Sequence, residues 1–331
     1  MATETEPVSA GRLQRFSNAQ VYVHALAALS IFLLYLTGLP ITFSDQLGWL
    51  FAVFGYGNVV LVHVVAGVVL VTVGVYYVLH IALGLLSGRT GLDVVPTRET
   101  VREALEYLGY LLGRNEKPAA PKYNWLQTAE VWVIVLEVSL ISITGVLLWF
   151  RGLFLSPGVR SALGGGTLPD VLVLIFRDIH LIFALTMLIG IAFHLYIVNV
   201  KEKYPFNDTM FSGTVSVERA AHHWRAWAMQ KLDSLPGHVE TTKPSPGTVY
   251  GVTLALLSFF ALIMTAALFA AVFSPLPTRD YILGVSSAVL TEGLGGIIYF
   301  VGLNVAVLVV LGGSIAILYG IGKRLGGGYN V

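Results

Sequence analysis

The 331-residue chain contains no cysteine. That excludes disulfides, thiolate chemistry and cysteine-held iron–sulfur clusters from this chain. Any metal in it must be held by histidine, carboxylate, methionine or backbone oxygen. Charge is scarce too: Asp, Glu, Lys and Arg make up 12% of residues, and the formal net charge is +1. No strong field of one sign exists to attract a nucleic acid. The first 18 residues are polar and lack the compact basic region of a signal peptide. The apolar run that follows is therefore read as a retained anchor. Gly164-Gly165-Gly166 lacks the strand and helix context of a phosphate loop, so no nucleotide role is assigned to it.

What the chain has instead is hydrophobic length. Hydrophobic residues make up 56% of it, in runs far longer than a strand or a soluble helix needs. Six spans are expected, at roughly 20–43, 58–86, 126–150, 171–199, 249–273 and 294–320. The fold class is all-α, a polytopic transmembrane helix bundle. The second span is long enough to extend past the lipid or to tilt. Lys and Arg concentrate in 87–125, in 200–248 and at both termini. The opposite loops hold few, so both termini are expected in the cytoplasm, in a multi-pass protein of the cell (inner) membrane. Pro236, Pro244 and Pro246 mark a linker at 233–248. It separates a four-helix core with its loops (1–232) from a two-helix extension (249–331). Thr100-Val-Arg-Glu103 reads as a capping box. The leucines after it predict an amphipathic helix on the cytoplasmic surface. No internal repeat is strong enough to use.

His180 and His194 stand fourteen residues apart on the fourth span. At about 100° per residue they fall within roughly 40° of one face, about 21 Å apart along the axis. One imidazole therefore sits near each edge of a hydrocarbon layer about 30 Å thick. Span one runs outward and carries His24 at its cytoplasmic side. Span two runs inward and carries His63 near the outer edge. The four histidines thus pair by depth, His63 with His180 and His24 with His194. Two imidazoles at each of two levels are the ligand set of two stacked haems b. Gly67 and Gly74 after His63, and Gly190 before His194, give a flat macrocycle room to approach. The alternative is four buried histidines bonded to backbone or side chains. His80 points about 100° away from His63 and lies at the cytoplasmic level. It is read first as an interfacial histidine, with a ligand or pocket role as its alternative. Quinol–cytochrome c reductases place a same-face pair on each of two helices, and here only span four has one.

This histidine order resembles the formate dehydrogenase gamma-subunit family, with membrane NiFe-hydrogenase and thiosulfate reductase cytochromes b as relatives. Lys122-Tyr123-Asn124-Trp125-Leu126-Gln127 resembles that branch's KYNxxQK stretch before its third helix. Gly213-Thr-Val with His222, His223 and Trp224 resembles its GxV…HHxxW segment. The resemblance covers roughly residues 10–230. It implies two haems b carrying electrons between an iron–sulfur subunit and the quinone pool, with a molybdopterin or NiFe catalytic subunit beyond. It implies a quinone site beside the cytoplasmic haem, with Asn124 in it; Tyr123 and Gln127 are placed alongside, and a menaquinone is expected there, though the sequence does not determine the quinone type. Two departures stand out. Thr128 replaces the motif's usual Lys, and spans five and six have no counterpart in the four-helix family.

Asn124 and Gln127 offer amide donors to a quinone carbonyl, or cap the third helix. Arg177, three residues before His180, could meet a propionate of the outer haem or snorkel to the interface; Asp178 could pair with it. Glu130 reads as part of a proton route, and Glu137, near mid-membrane, as an interhelical hydrogen-bonding residue. The expected protein is a dihaem cytochrome b subunit of a respiratory oxidoreductase, not catalytic alone. Its partners are lipid, quinone and an iron–sulfur subunit, with no nucleic acid. The alternatives are a haem-free membrane anchor or assembly subunit, and a secondary transporter.

Overall fold

The computed structural model describes residues 11–87, 93–198 and 209–232, and eight helical positions between 297 and 312. In chain order the principal elements are β1 (Arg12–Gln14), α1 (Asn18–Thr42), α2 (Tyr56–Leu86), α3 (Arg98–Leu111), α4 (Trp125–Trp149), α5 (Leu168–Tyr196), β2 (Thr214–Ser216), α6 (Val217–His223) and α7 (Arg225–Lys231). Helices α1, α2, α4 and α5 have 25, 31, 25 and 29 residues, and each is long and apolar enough to cross a membrane. About 20 residues suffice for that. A chain in hydrocarbon must satisfy every backbone N–H and C=O internally, and a continuous helix does so. The first four expected spans agree with these helices to within a few residues. At 1.5 Å per residue α2 is about 46 Å long, well beyond the hydrocarbon core. Large apolar side chains such as Leu61, Val65, Leu136 and Ile143 stand exposed along these helices, as lipid-facing residues do.

The chain divides into two compact units, Met1–Ala28 with Thr72–Val133 and Phe206–Pro246, and Leu29–Val71 with Ile134–Pro205 and Gly247–Val331. The second unit has a tightly packed interior in which Tyr35, Ala66, Leu70, Ile141, Leu185 and Leu188 are buried. Its C-terminal helical positions pack on α5 at Gly302, where a Cβ would collide with Ile182. Span five (249–273), the 233–248 linker and most of span six (294–320) lie outside the described residues.

The first unit holds a small core of its own. β1 pairs antiparallel with β2, in the register Leu13↔Val215. Leu13, Val215, Ala220, Trp224, Trp227 and Ala228 pack together beneath the pair. Gly213 makes the approach possible. Its φ is +73°, and its carbonyl accepts from both Arg15 N–H and Phe16 N–H at 2.9 Å. A Cβ there would come within 2.8 Å of the Phe16 carbonyl oxygen.

Helix α3 corrects the expected capping box. The cap is Thr97, whose N–H donates to Thr100 Oγ1 at 3.1 Å while Thr100 N–H returns a bond to Thr97 Oγ1. With the cap on Thr97 the helix starts at Arg98, a turn earlier than expected. Glu103 is thereby freed to accept from Trp125 N–H at 3.0 Å, tying α3 to the start of α4. Val101, Leu105 and Leu108 of the expected stripe form an exposed apolar face on α3, with Leu111 beside them and the expected Leu112 exposed at the C-cap.

Candidate functional site: a pair of facing histidines

His63 on α2 and His180 on α5 face each other, with ring centroids 6.4 Å apart and planes at 65°. The same device holds each ring. On α1, Thr37 Oγ1 donates to the Leu33 carbonyl at 2.7 Å and lies 3.0 Å from His63 Nδ1. On α4, Thr144 Oγ1 donates to the Leu140 carbonyl at 2.7 Å and lies 3.1 Å from His180 Nδ1. A hydroxyl has one proton, and each threonine commits it to its own backbone. The imidazole must then donate from Nδ1–H, and the threonine oxygen accepts. His180 Nδ1 also donates to the Ile141 carbonyl at 3.0 Å. The His63 ring likewise bonds the Leu34 backbone. Glycines follow both threonines: a Cβ at Gly38 would stand 3.0 Å from His63 Cε1, and one at Gly145 3.2 Å from His180 Cε1.

This assigns the tautomer. With the proton on Nδ1, the lone pair lies on Nε2, and neither Nε2 has a hydrogen-bond partner among the described residues. A histidine that donates from one ring nitrogen and keeps the other basic is the usual metal ligand. The 6.4 Å between ring centres leaves space for a metal–nitrogen bond of about 2.0 Å on each side, and His63 and His180 would hold one iron between them. Among the described residues no group of three or more His, Asp or Glu converges on a metal position. A macrocycle that brings its own equatorial nitrogens needs no more than two protein ligands. Of the glycines expected near the ligands, a Cβ built on Gly67 meets only a Leu34 methyl at 4.0 Å, and one on Gly190 the Glu137 Oε2 at 3.8 Å.

The remaining candidates divide between the two units. His24 belongs to the first and His194 to the second, and both are partly buried. His80 stacks on Tyr76 and Tyr77, with centroids 6.0 and 6.4 Å away. Arg177 forms its ion pair with neighbouring Asp178 at 3.0 Å, the pairing foreseen as one possibility. Glu137 is buried on α4 and hydrogen-bonds Thr186 on α5, the interhelical role its depth implies. Its Oε2 has no partner among the described residues.

The start of α4 is a reciprocal cap. Gln127 N–H donates to Asn124 Oδ1 at 2.9 Å, and Asn124 N–H to Gln127 Oε1 at 3.3 Å. Gln127 Oε1 also accepts from Trp224 Nε1–H at 3.2 Å and from Arg15 at 3.4 Å. These bonds use the amide oxygens. The NH2 groups of Asn124 and Gln127 have no partner among the described residues. Tyr123 sits beside them, bonded to Gln20, its phenol pushed up to about 12 by burial and then by Tyr77. Arg15 is buried here, its guanidinium 3.4 Å from the Trp224 ring centre and its Nη2 donating to the Lys122 carbonyl at 2.8 Å.

Sequence reasoning missed Thr37, Gly38, Thr144, Gly145 and Arg15. The first four had a signal: Leu33-Leu34-Tyr35-Leu36-Thr37-Gly38 and Leu140-Ile141-Ser142-Ile143-Thr144-Gly145 repeat one pattern on spans one and three. Arg15 had none, because a lone arginine before an apolar span reads as a topology charge. No curated protein matches the chain. A family model, prokaryotic cytochrome b561, matches residues 15–213, more than half of the chain. Four membrane-length helices and a facing histidine pair accord with that match, and the chain belongs to the prokaryotic cytochrome b561 family, as a multi-pass membrane protein of haem b electron transfer.

Proposed function

We propose that this chain is a dihaem cytochrome b subunit of the formate dehydrogenase gamma-subunit type. It passes electrons between an iron–sulfur partner on the outer side and the quinone pool near the cytoplasmic side. In this reading His63 and His180 hold the outer haem b, and His24 and His194 the inner one. A molybdopterin or NiFe subunit lies beyond the iron–sulfur partner. Both termini face the cytoplasm, and the two spans after the 233–248 linker extend the four-helix core. The haem supplies reversible one-electron chemistry; the chain supplies ligands, spacing and local field. The observation that carries the reading is the His63–His180 pair, with each Nδ1 tied to a threonine, that of His180 also to the Ile141 carbonyl, and both Nε2 atoms left basic.

The quinone end rests on Asn124. Its Oδ1 is held by the Gln127 N–H, which orients the amide and leaves the NH2 to donate to a quinone carbonyl. Tyr123 and Gln127 border the same position. Asn124→Leu keeps approximate size and removes that donor. It should slow reoxidation of the haems by a quinone analogue while both haem spectra persist. Oxidation at the wild-type rate would exclude Asn124 from the site. Haem content tests the larger reading: two haems b per chain are expected by pyridine haemochrome, and none would leave a haem-free anchor.

A further inference from the structure

We infer that Thr37 and Thr144 are paired positioning residues that set the tautomer, ring orientation and basicity of the two axial ligands at the His63–His180 site. The inference rests on the haem reading of that pair and goes beyond it, since neither threonine would touch the iron.

Each threonine has one hydroxyl proton, and its shortest bond, 2.7 Å, runs to the carbonyl four residues earlier on its own helix. That bond holds χ1 and turns an oxygen lone pair outward. The lone pair meets Nδ1 of a histidine on the next helix, at 3.0 Å for Thr37 and 3.1 Å for Thr144. The carbonyl three residues before each threonine, that of Leu34 or Ile141, lies against the same ring. The His180 Nδ1–H therefore meets two oxygens of one helical turn, and the His63 ring bonds the two corresponding groups on α1. Gly38 and Gly145, next in the chain, let that turn approach the ring edge. The arrangement occurs twice, on α1 toward α2 and on α4 toward α5. The two six-residue stretches share Leu, Leu or Ile, any residue, Leu or Ile, Thr, Gly. A repeated contact that merely filled space would not need the hydroxyl in both copies, since valine has the same shape.

Its chemical effect follows. An acceptor on Nδ1–H pushes electron density toward Nε2 and makes the imidazole a stronger donor to iron. A stronger donor favours the oxidised, more positive iron, so the two threonines together hold the midpoint potential of this haem down. They also hold the planes apart. The 65° between the rings is far from parallel, and rings so crossed would give the oxidised iron they held a strongly anisotropic magnetic signature.

The experiment uses the full-length protein in detergent or nanodiscs. Thr37→Val, Thr144→Val, the double variant and the two Thr→Ser variants are compared by haem content, redox titration and electron paramagnetic resonance. The valine variants should keep haem and raise the midpoint of one haem only. The double variant should raise it further, and the anisotropic signal should change. Each serine variant should match wild type, because the hydroxyl is retained. Haem lost in valine but kept in serine also supports the assignment. Full haem with wild-type midpoint and signal in the double valine variant overturns it. So does loss of haem in the serine variants, which would mean that the methyl group matters. A wild-type chain without haem overturns the underlying reading and this one with it.

Discussion

Gly145→Val is the most direct perturbation of the histidine pair, because it adds bulk where the structure leaves none. An alanine Cβ at this position already stands 3.2 Å from His180 Cε1 and 3.6 Å from Nδ1. That is tight, and a ring shift of a few tenths of an ångström relieves it. Valine adds two methyl groups on the same carbon, and β-branching leaves it essentially one rotamer in a helix. The His180 ring must then move away from α4. Moving it breaks the 3.0 Å bond to the Ile141 carbonyl and the 3.1 Å bond to Thr144. Loss of a metal ligand's outer hydrogen bonds lowers affinity by roughly 10–100-fold, which is about 1.4–2.8 kcal/mol. The assay is the rate at which one haem leaves for an excess of a haem-scavenging apoprotein, with the remaining haem counted by pyridine haemochrome. Gly152→Val is the control, since a Cβ there meets nothing within 4 Å. Gly145→Val should lose one of two haems at least tenfold faster than wild type, and Gly152→Val should not. If both variants release haem at the wild-type rate, His180 does not hold it through this geometry.

Three further outcomes are expected. Gly213→Ala forces an L residue to φ +73° and against the Phe16 carbonyl, and should destabilise the β1–β2 region by roughly 2–4 kcal/mol; thermal unfolding and proteolysis of the N-terminal segment would report it, and a loss below about 0.5 kcal/mol would contradict the close approach. His223 is held neutral by burial and then by His222, its pKa down at about 3. The unfolded chain takes up that proton below about pH 6.5 and the folded chain does not. Stability should therefore be full above pH 6.5 and fall as pH drops toward 3, and His223→Gln should flatten the melting profile across that window. Tags at either terminus should be accessible only from the cytoplasmic side of oriented vesicles, because Lys and Arg concentrate there; a protected C-terminus would mean an odd number of spans or the reverse orientation.

The sequence alone determined the four described spans and the phase of the histidines on them. Length and hydropathy select a membrane helix because hydrocarbon offers the backbone no other partner. Once a helix is certain, 100° per residue places His180 and His194 on one face. Depth then pairs His63 with His180, and the structure brings those two rings to 6.4 Å. What only the tertiary structure decided was which atoms hold the rings. Thr37 and Thr144 are ordinary residues in an apolar run, and their role exists only when a neighbouring helix presents a ring nitrogen three ångströms away. Arg15 belongs to the same class: its burial against Trp224, more than two hundred residues on, depends on the β1–β2 pairing. The misplaced capping box shows the limit from the other side. Thr97 and Thr100 both head a plausible cap, and the choice fell to the bonds Thr97 and Thr100 exchange, while Glu103 accepts from Trp125 N–H instead. Periodicity and depth are properties of one helix and can be read along the chain, whereas a hydrogen bond between helices depends on their approach, which no single segment encodes.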